Sequence, residues 1–307
     1  MDTKSKIILI SGPTASGKSD FAIKLAKKIN GEIINADSMQ VYKELKILTA
    51  RPSKKEQKNI KHHLYGIVNV KKNFSTGLWL KLAIKKIREI QKKNKVPILV
   101  GGTGLYFRAL TEGFVKIPNI PLKVRMESRL LHKKLGQKSF YKKLIKIDPL
   151  CKTKINKNDS QRSIRAYEIK KNTNISIFVW YKNTKKIFKI DQFKMIYIDF
   201  PKDHLIKRIN LRVEKMFKKG AIREVGKFLN IKLNRDNSSN KVIGINEISN
   251  YLDKSVNLLV TKERIAIKTR QYAKRQRTWA RGQMKNWQKV DPEKLKTELK
   301  NLQNYFS

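Results

Sequence analysis

Four short apolar runs rich in β-branched residues punctuate the chain, at Ile7–Ile10, Glu32–Asn35, Val96–Gly102 and Met195–Phe200, and each leads into turn residues. Runs of this length and composition predict buried strands. Between and after them, apolar positions recur at helical spacing, as in Trp79–Gln91 and His204–Lys219. Strands alternating with helices predict an α/β fold, a parallel sheet with helices on both faces. Ligands of such a sheet bind outside the carboxyl ends of its strands, where these turn residues gather. The stretch Phe114–Tyr181 breaks the alternation. It opens with Pro118 and Pro121 and continues as lysine-rich amphipathic segments, Arg125–Lys134, Ser139–Lys146 and Ser160–Lys171, the last with Asp159 or Ser160 as N-cap. This predicts a helical insertion over residues 116–185, set into a core made of 1–115 and 186–307. Asn234–Asn240 reads as a polar loop, and Lys262–Lys289 as one long basic helix with Tyr272, Trp279 and Trp287 interleaved. No internal repeat is visible.

The first strand ends in Gly12-Pro13-Thr14-Ala15-Ser16-Gly17-Lys18-Ser19, the pattern G-x-x-x-x-G-K-[ST], and a helical pattern begins at once after it. Strand, glycine-rich loop and helix are the context that gives this motif meaning. The loop turns backbone N–H groups inward at a helix N-terminus and so makes a nest for two linked phosphates. Lys18 is placed to reach a phosphate oxygen, and the Ser19 hydroxyl to hold Mg²⁺. The sheet is therefore expected to be P-loop NTPase-like.

Composition narrows the partners. The net charge of +47 arises from 71 Lys+Arg against 24 Asp+Glu, and a surface so basic attracts polyanions. Part of that excess belongs to a chain rich in Lys, Asn and Ile throughout, as an AT-rich genome produces. The basic helix is different, because arginine is prominent there and supplies planar, two-pronged phosphate contacts. A single cysteine, Cys151, excludes an internal disulfide framework and a thiolate zinc site. His62-His63 is no ready chelate, since neighbours in sequence point apart on a helix or a strand. With no apolar stretch long enough to span a membrane, and a strand beginning at the N-terminus, a cytoplasmic protein is expected.

Four segments together resemble the tRNA dimethylallyltransferase (tRNA isopentenyltransferase) family: Gly12–Ser19, Asn35-Ala36-Asp37-Ser38-Met39-Gln40-Val41-Tyr42, Gly101-Gly102-Thr103-Gly104-Leu105-Tyr106, and Thr269–Gln276. Asn158–Glu168 looks like a fifth signature. The resemblance implies that a dimethylallyl group moves from its diphosphate to the exocyclic amine of the adenine 3′ of the anticodon, with release of pyrophosphate. The P-loop would then hold a leaving group and transfer no phosphoryl group. The family's eukaryotic members often carry a zinc finger after the core, so the resemblance is to the bacterial type, expected here as a monomer with Mg²⁺.

The resemblance gives Asp37 the role of accepting the amine's proton. From its position alone Asp37 could also hold Mg²⁺ through water, or cap a helix over Met39–Leu45. Thr103 could donate to the bridging oxygen or to the base, or serve only a tight turn. Arg212 matches the family's pyrophosphate-binding arginine, with Arg208 one turn away. Asp37, Ser38, Met39, Gln40 and Thr103, with Gln161, Arg162, Ser163, Ile164 and Arg165, match stretches that hold the anticodon stem-loop, and Arg125 matches by position. Gln40 could bond an adenine edge in two-pronged fashion. The chain departs from the family at Leu48, where glycine is usual, at Arg51 in place of lysine, at Tyr65-Gly66 where an acid is common, and at Ile245-Asn246. A P-loop kinase of a small molecule, using ATP, is the competing reading; it leaves the basic aromatic helix without a purpose.

Overall fold

The structure, a computed structural model, describes residues 6–234 and 237–306. Of the polar loop Asn234–Asn240, Arg235 and Asp236 lie outside the described residues. Six strands form one wholly parallel sheet: β1 (Ile7–Ser11), β2 (Gly31–Asn35), β3 (His62–His63), β4 (Val96–Gly101), β5 (Phe193–Ile198) and β6 (Gln288–Val290), in the order β3-β2-β4-β1-β5-β6. The period-2 alternation of strands divides their side chains between two apolar layers. Ile8, Ile10, Ile33 and Ile196 pack on one face, with Phe21, Leu25, Leu205 and Ile209 from the helices Lys18–Lys28 and Lys202–Lys218. Ile7, Leu9, Ile34 and Leu99 pack on the other, with Trp79, Ala83 and Phe107 from the helices Thr76–Gln91 and Gly104–Thr111. Both faces are covered, which is why the central strands read as continuous apolar runs.

The two edge strands are absent from the sequence reading. β3 is only His62–His63, and β6 (Gln288–Val290) begins inside the end of the predicted helix Lys262–Lys289 and runs one residue past it. That helix spans Leu258–Gln283 and stops at Met284. The chain turns there because Met284 and Trp287 are buried against the sheet, with Trp287 edge-on to Phe107 at 5.2 Å. His63 also has a structural task. Its Nε2 lies 2.7 Å from the buried Glu32 carboxylate, and Lys95 lies 3.2 Å from the other oxygen. Burial works against the Glu32 charge, yet those hydrogen bonds outweigh it and hold the carboxyl below its ordinary range.

The chain divides into two compact units, one of residues up to Thr111 and from Phe188 onward, the other Glu112–Ile187. The second unit is helical. Leu122–Ile147 forms one helix broken at Gly136 (φ 69°, ψ 166°), between the two segments the periodicity separates. It packs on Ser160–Thr173, capped by the Asp159 side chain on the Arg162 amide at 2.9 Å. Phe140, Leu144, Cys151, Ala166 and Ile169 form this unit's own core. Among the described residues no helix is long and apolar enough to cross a membrane.

Candidate active site

The phosphate loop leaves β1 at Gly12 and closes on itself, with the Ser16 amide donating to Pro13 O at 3.2 Å and Lys18 Nζ to the same oxygen at 3.1 Å. Arg212, from the helix Lys202–Lys218, donates to Thr14 Oγ1 at 2.8 Å. Arg208 is exposed, stacked over the Phe200 ring at 4.9 Å. Of the two arginines, Arg212 is the one bonded to the loop. Ser16 Oγ is buried with no hydrogen-bond partner.

The loop opens on a cavity of about 860 Å³, lined by Thr14, Gly17, Lys18, Ser19 and Asp37 with Arg208 and Arg212. Lys18 is half-buried and lines this cavity. Burial, partly opposed by Asp37 and reinforced by Arg212, pulls its ammonium down to about 8. Arg212 is lowered by burial too, with Asp37 countering it. Two cations held close together in a desolvated cleft fit an anionic ligand of high charge density.

Asp37 stands just past the end of β2. Asn35, fully buried, fixes it there: Asn35 Oδ1 accepts from the Asp37 amide at 2.9 Å, and Nδ2 donates to Asp37 O at 2.9 Å and Leu64 O at 3.1 Å. Trp79, itself fully buried and stacked on Tyr106 at 4.2 Å, donates to Asn35 O at 2.8 Å. Asp37 Oδ1 accepts from the Met39 amide at 2.8 Å, an Asx-type turn. No helix follows over Met39–Leu45, so the cap role is excluded. Asn35→Ala leaves the Asp37 amide, Asp37 O and the buried Leu64 O without this partner. It is expected to cost about 2–4 kcal/mol of stability by urea denaturation, and to lower turnover as Asp37 loses its brace.

Thr103 is also engaged. Its Oγ1 accepts from the Ser38 amide at 2.9 Å and lies 3.3 Å from Ser38 Oγ, while its own amide donates to Ala36 O at 3.2 Å. Thr103 therefore locks the Ala36–Ser38 segment and keeps one hydroxyl lone pair in reserve. Gln40 donates to Thr49 O at 2.8 Å and Ala50 O at 3.2 Å. Both amide protons are thereby occupied, so the two-pronged base contact expected of it is not available and only Oε1 can accept. Met39 packs partly buried against the apolar core.

The basic helix Leu258–Gln283 closes over this region. Gln276 accepts from the Thr14 amide at 2.8 Å and donates to Gly102 O at 3.0 Å, tying the phosphate loop to the glycine-rich turn after β4. Glycine is needed at the start of that turn, because a β-carbon at Gly101 would strike the Ala36 backbone; one at Gly102 would displace the Gln276 amide, and one at Gly104 would strike the Trp279 ring. A smaller pocket of about 250 Å³ lies here, lined by Ser38, Thr103, Tyr272, Arg275 and Trp279. The segment carrying Asp37 and Ser38 borders both cavities. Asn35 and Gln276 carry no role in the sequence reading. Gln276 lies in a stretch quoted for the resemblance, but its partners are far away in the chain.

In the helical unit, Arg162 and Gln161 are exposed, and Arg162 lies 3.1 Å from Asp159. Arg165 pairs with Glu168 at 3.2 Å. Ser163 is fully buried and donates to Asp159 O, and Ile164 packs on that unit's core. These two hold the helix, and their side chains face inward. Arg125 donates to Asn119 Oδ1 at 3.3 Å, with its Nε buried and unpartnered.

The departures from the family pattern have partners. Leu48 is buried, and its tip lies where a β-carbon of Gly244 would stand. The Arg51 guanidinium donates to Tyr42 O and Lys43 O, each at 3.0 Å, and occupies the place of a side chain at Gly66 (φ 58°). The segment carrying Leu48 is held by Glu224, which accepts from the amides of Lys46, Ile47 and Leu48 at 2.7–2.9 Å.

Residues 40–283 match the model of the family described as IPP transferase. A tRNA dimethylallyltransferase of Pelagibacter ubique is 63% identical over 98% of this chain and 96% of its own, and one of Rickettsia canadensis is 44% identical over 92% and 87%. Among solved structures, the tRNA isopentenylpyrophosphate transferase of Bacillus halodurans is 34% identical with a TM-score of 0.70, covering 98% of this chain and 95% of that one. A eukaryotic dimethylallyltransferase acting on tRNA is 30% identical with a TM-score of 0.81, covering 94% and 74%. Sequence and fold agree, and the chain belongs to the IPP transferase family of tRNA-modifying prenyltransferases.

Proposed function

We propose that the chain transfers a dimethylallyl group from dimethylallyl diphosphate to the exocyclic amine of the adenine 3′ of the anticodon. The observation that carries this reading is the convergence of Lys18, Arg212 and Asp37 on one cavity with the phosphate loop. The allylic C–O bond breaks, its electrons leave with diphosphate, and the amine nitrogen forms the new C–N bond. Adenine's amine is a weak nucleophile, its lone pair drawn into the ring. Asp37 orients it and takes its proton through the oxygen that the Met39 amide does not use. Lys18, Arg212 and the loop amides meet the charge that grows on the departing oxygen. Gln276 holds the Thr14 amide, so the donor diphosphate displaces it to use that N–H. Thr103 keeps Asp37 and Ser38 in register with the loop.

Mg²⁺ fits this donor set. Ser19 and Asp37 offer hard oxygen ligands on the same cavity, and diphosphate and water would supply the rest. The ion would offset diphosphate charge; no group of three or more His, Cys, Asp or Glu among the described residues suggests a separate metal centre. Within the sheet-bearing unit, the anticodon stem-loop would lie on the Arg275–Trp279 face of the basic helix; in the helical unit, taken by itself, Arg125, Gln161, Arg162 and Arg165 are the candidate tRNA contacts. The protein would act as a cytoplasmic monomer. The test is mass analysis of an anticodon stem-loop incubated with the protein and dimethylallyl diphosphate, with ATP omitted. A gain of one C5H8 unit on the target adenine is expected. No gain, or conversion of added ATP to ADP with phosphorylation of an acceptor, refutes the reading.

A further inference from the structure

Beside the Trp279 pocket lies a second, smaller cavity of about 80 Å³, lined by Tyr197, Asp199, Arg277, Arg281 and Lys289. Tyr197 and Lys289 are register partners on β5 and β6, so their side chains leave the sheet on the same face. Arg277 and Arg281 are one helical turn apart on the basic helix and face the same cavity. Tyr197 borders both this cavity and the Trp279 pocket. The side chain is 5% exposed, yet its hydroxyl has no hydrogen-bond partner. A buried hydroxyl left unpaired costs about 1–3 kcal/mol, and native folds keep few of them. Burial, with Asp199 nearby, pushes the phenol up to about 12, so it stays a neutral donor.

We propose that this cavity is a subsite for one backbone phosphodiester of the RNA substrate, received by the Tyr197 hydroxyl and the Arg277, Arg281 and Lys289 cations. Three cations against one carboxylate leave the cavity short of negative charge. Its size suits a single tetrahedral anion, and its place next to the aromatic pocket suits the phosphate flanking a base held there. The assignment rests on the proposed RNA substrate. The subsite fixes the position of the strand, and base contacts elsewhere carry sequence.

Tyr197→Phe separates a binding role from a structural one. Removing an unpartnered buried hydroxyl leaves Tm unchanged or raises it. Stem-loop affinity is expected to fall about three- to tenfold, with KM for dimethylallyl diphosphate unchanged. Arg281→Ala should weaken stem-loop binding about tenfold and make the plot of log K against log salt shallower by about one. A single neutral methylphosphonate linkage, walked through the loop, should find one position where wild type loses affinity and Arg281→Ala loses no more. The inference is overturned if Tyr197→Phe binds RNA as wild type does, which would make the cavity a water site. It is also overturned if affinity and Tm fall together, if only the donor KM rises, or if no linkage is selective. A wild-type protein that binds the stem-loop without prenylating it would refute the proposed reaction and leave the subsite standing.

Discussion

Asp37→Asn is expected to lower the single-turnover rate about 10²–10⁴-fold while stem-loop affinity stays within about twofold. Asparagine is the informative replacement. Its Oδ1 still accepts from the Met39 amide, and the backbone bonds to Asn35 are untouched, so the turn persists. What is lost is the capacity to take a proton, together with the carboxylate charge that faces Lys18 and Arg212. Asp37→Ala removes the turn as well and mixes two effects. The rate is measured at saturating dimethylallyl diphosphate, with affinity measured separately on the stem-loop. Loss of affinity with an intact rate would assign Asp37 to holding RNA and remove the base from the mechanism.

Lys18→Ala is expected to lower kcat/KM for dimethylallyl diphosphate about 10²–10³-fold, the loss typical of one donor to a developing oxyanion. The pH profile identifies the cause. In the free protein Lys18 is held down to about 8, so it is charged below that pH and neutral above it. Wild-type kcat/KM for the donor should be flat below about pH 8 on this account, then fall as pH rises. Bound diphosphate favours the ammonium, so the corresponding break in kcat should lie higher. The alanine variant should lack the Lys18 break. An identical break in the variant would assign it to another group.

The strands most legible in the sequence were those buried on both faces, because Ile7–Ile10 and Val96–Val100 need apolar side chains in both directions. The edges were not legible. β3 pairs only two residues, and Lys289 of β6 is exposed, so neither leaves an apolar run. Lys262–Lys289 kept helical spacing past Gln283, and only the burial of Met284 and Trp287 reveals the turn. At the site, the loop and its lysine could be read because backbone geometry dictates their spacing. The preference for Arg212 over Arg208 depends on the Thr14 hydroxyl, a contact between distant segments. Asn35 looked like an ordinary strand end, and Gln40 like a reader of bases, until their partners were placed.

The guanidinium of Arg51 filling the space of a missing side chain at Gly66 has an evolutionary reading. Gly66 is not free to change while Arg51 stays as it is. An acid at 66 would meet both a left-handed backbone and an occupied site, and would evict Arg51 from the two carbonyls it serves. Shortening Arg51 first opens the way. Reversion toward the common family pattern is thus expected to be order-dependent, with residue 51 changing before residue 66 can.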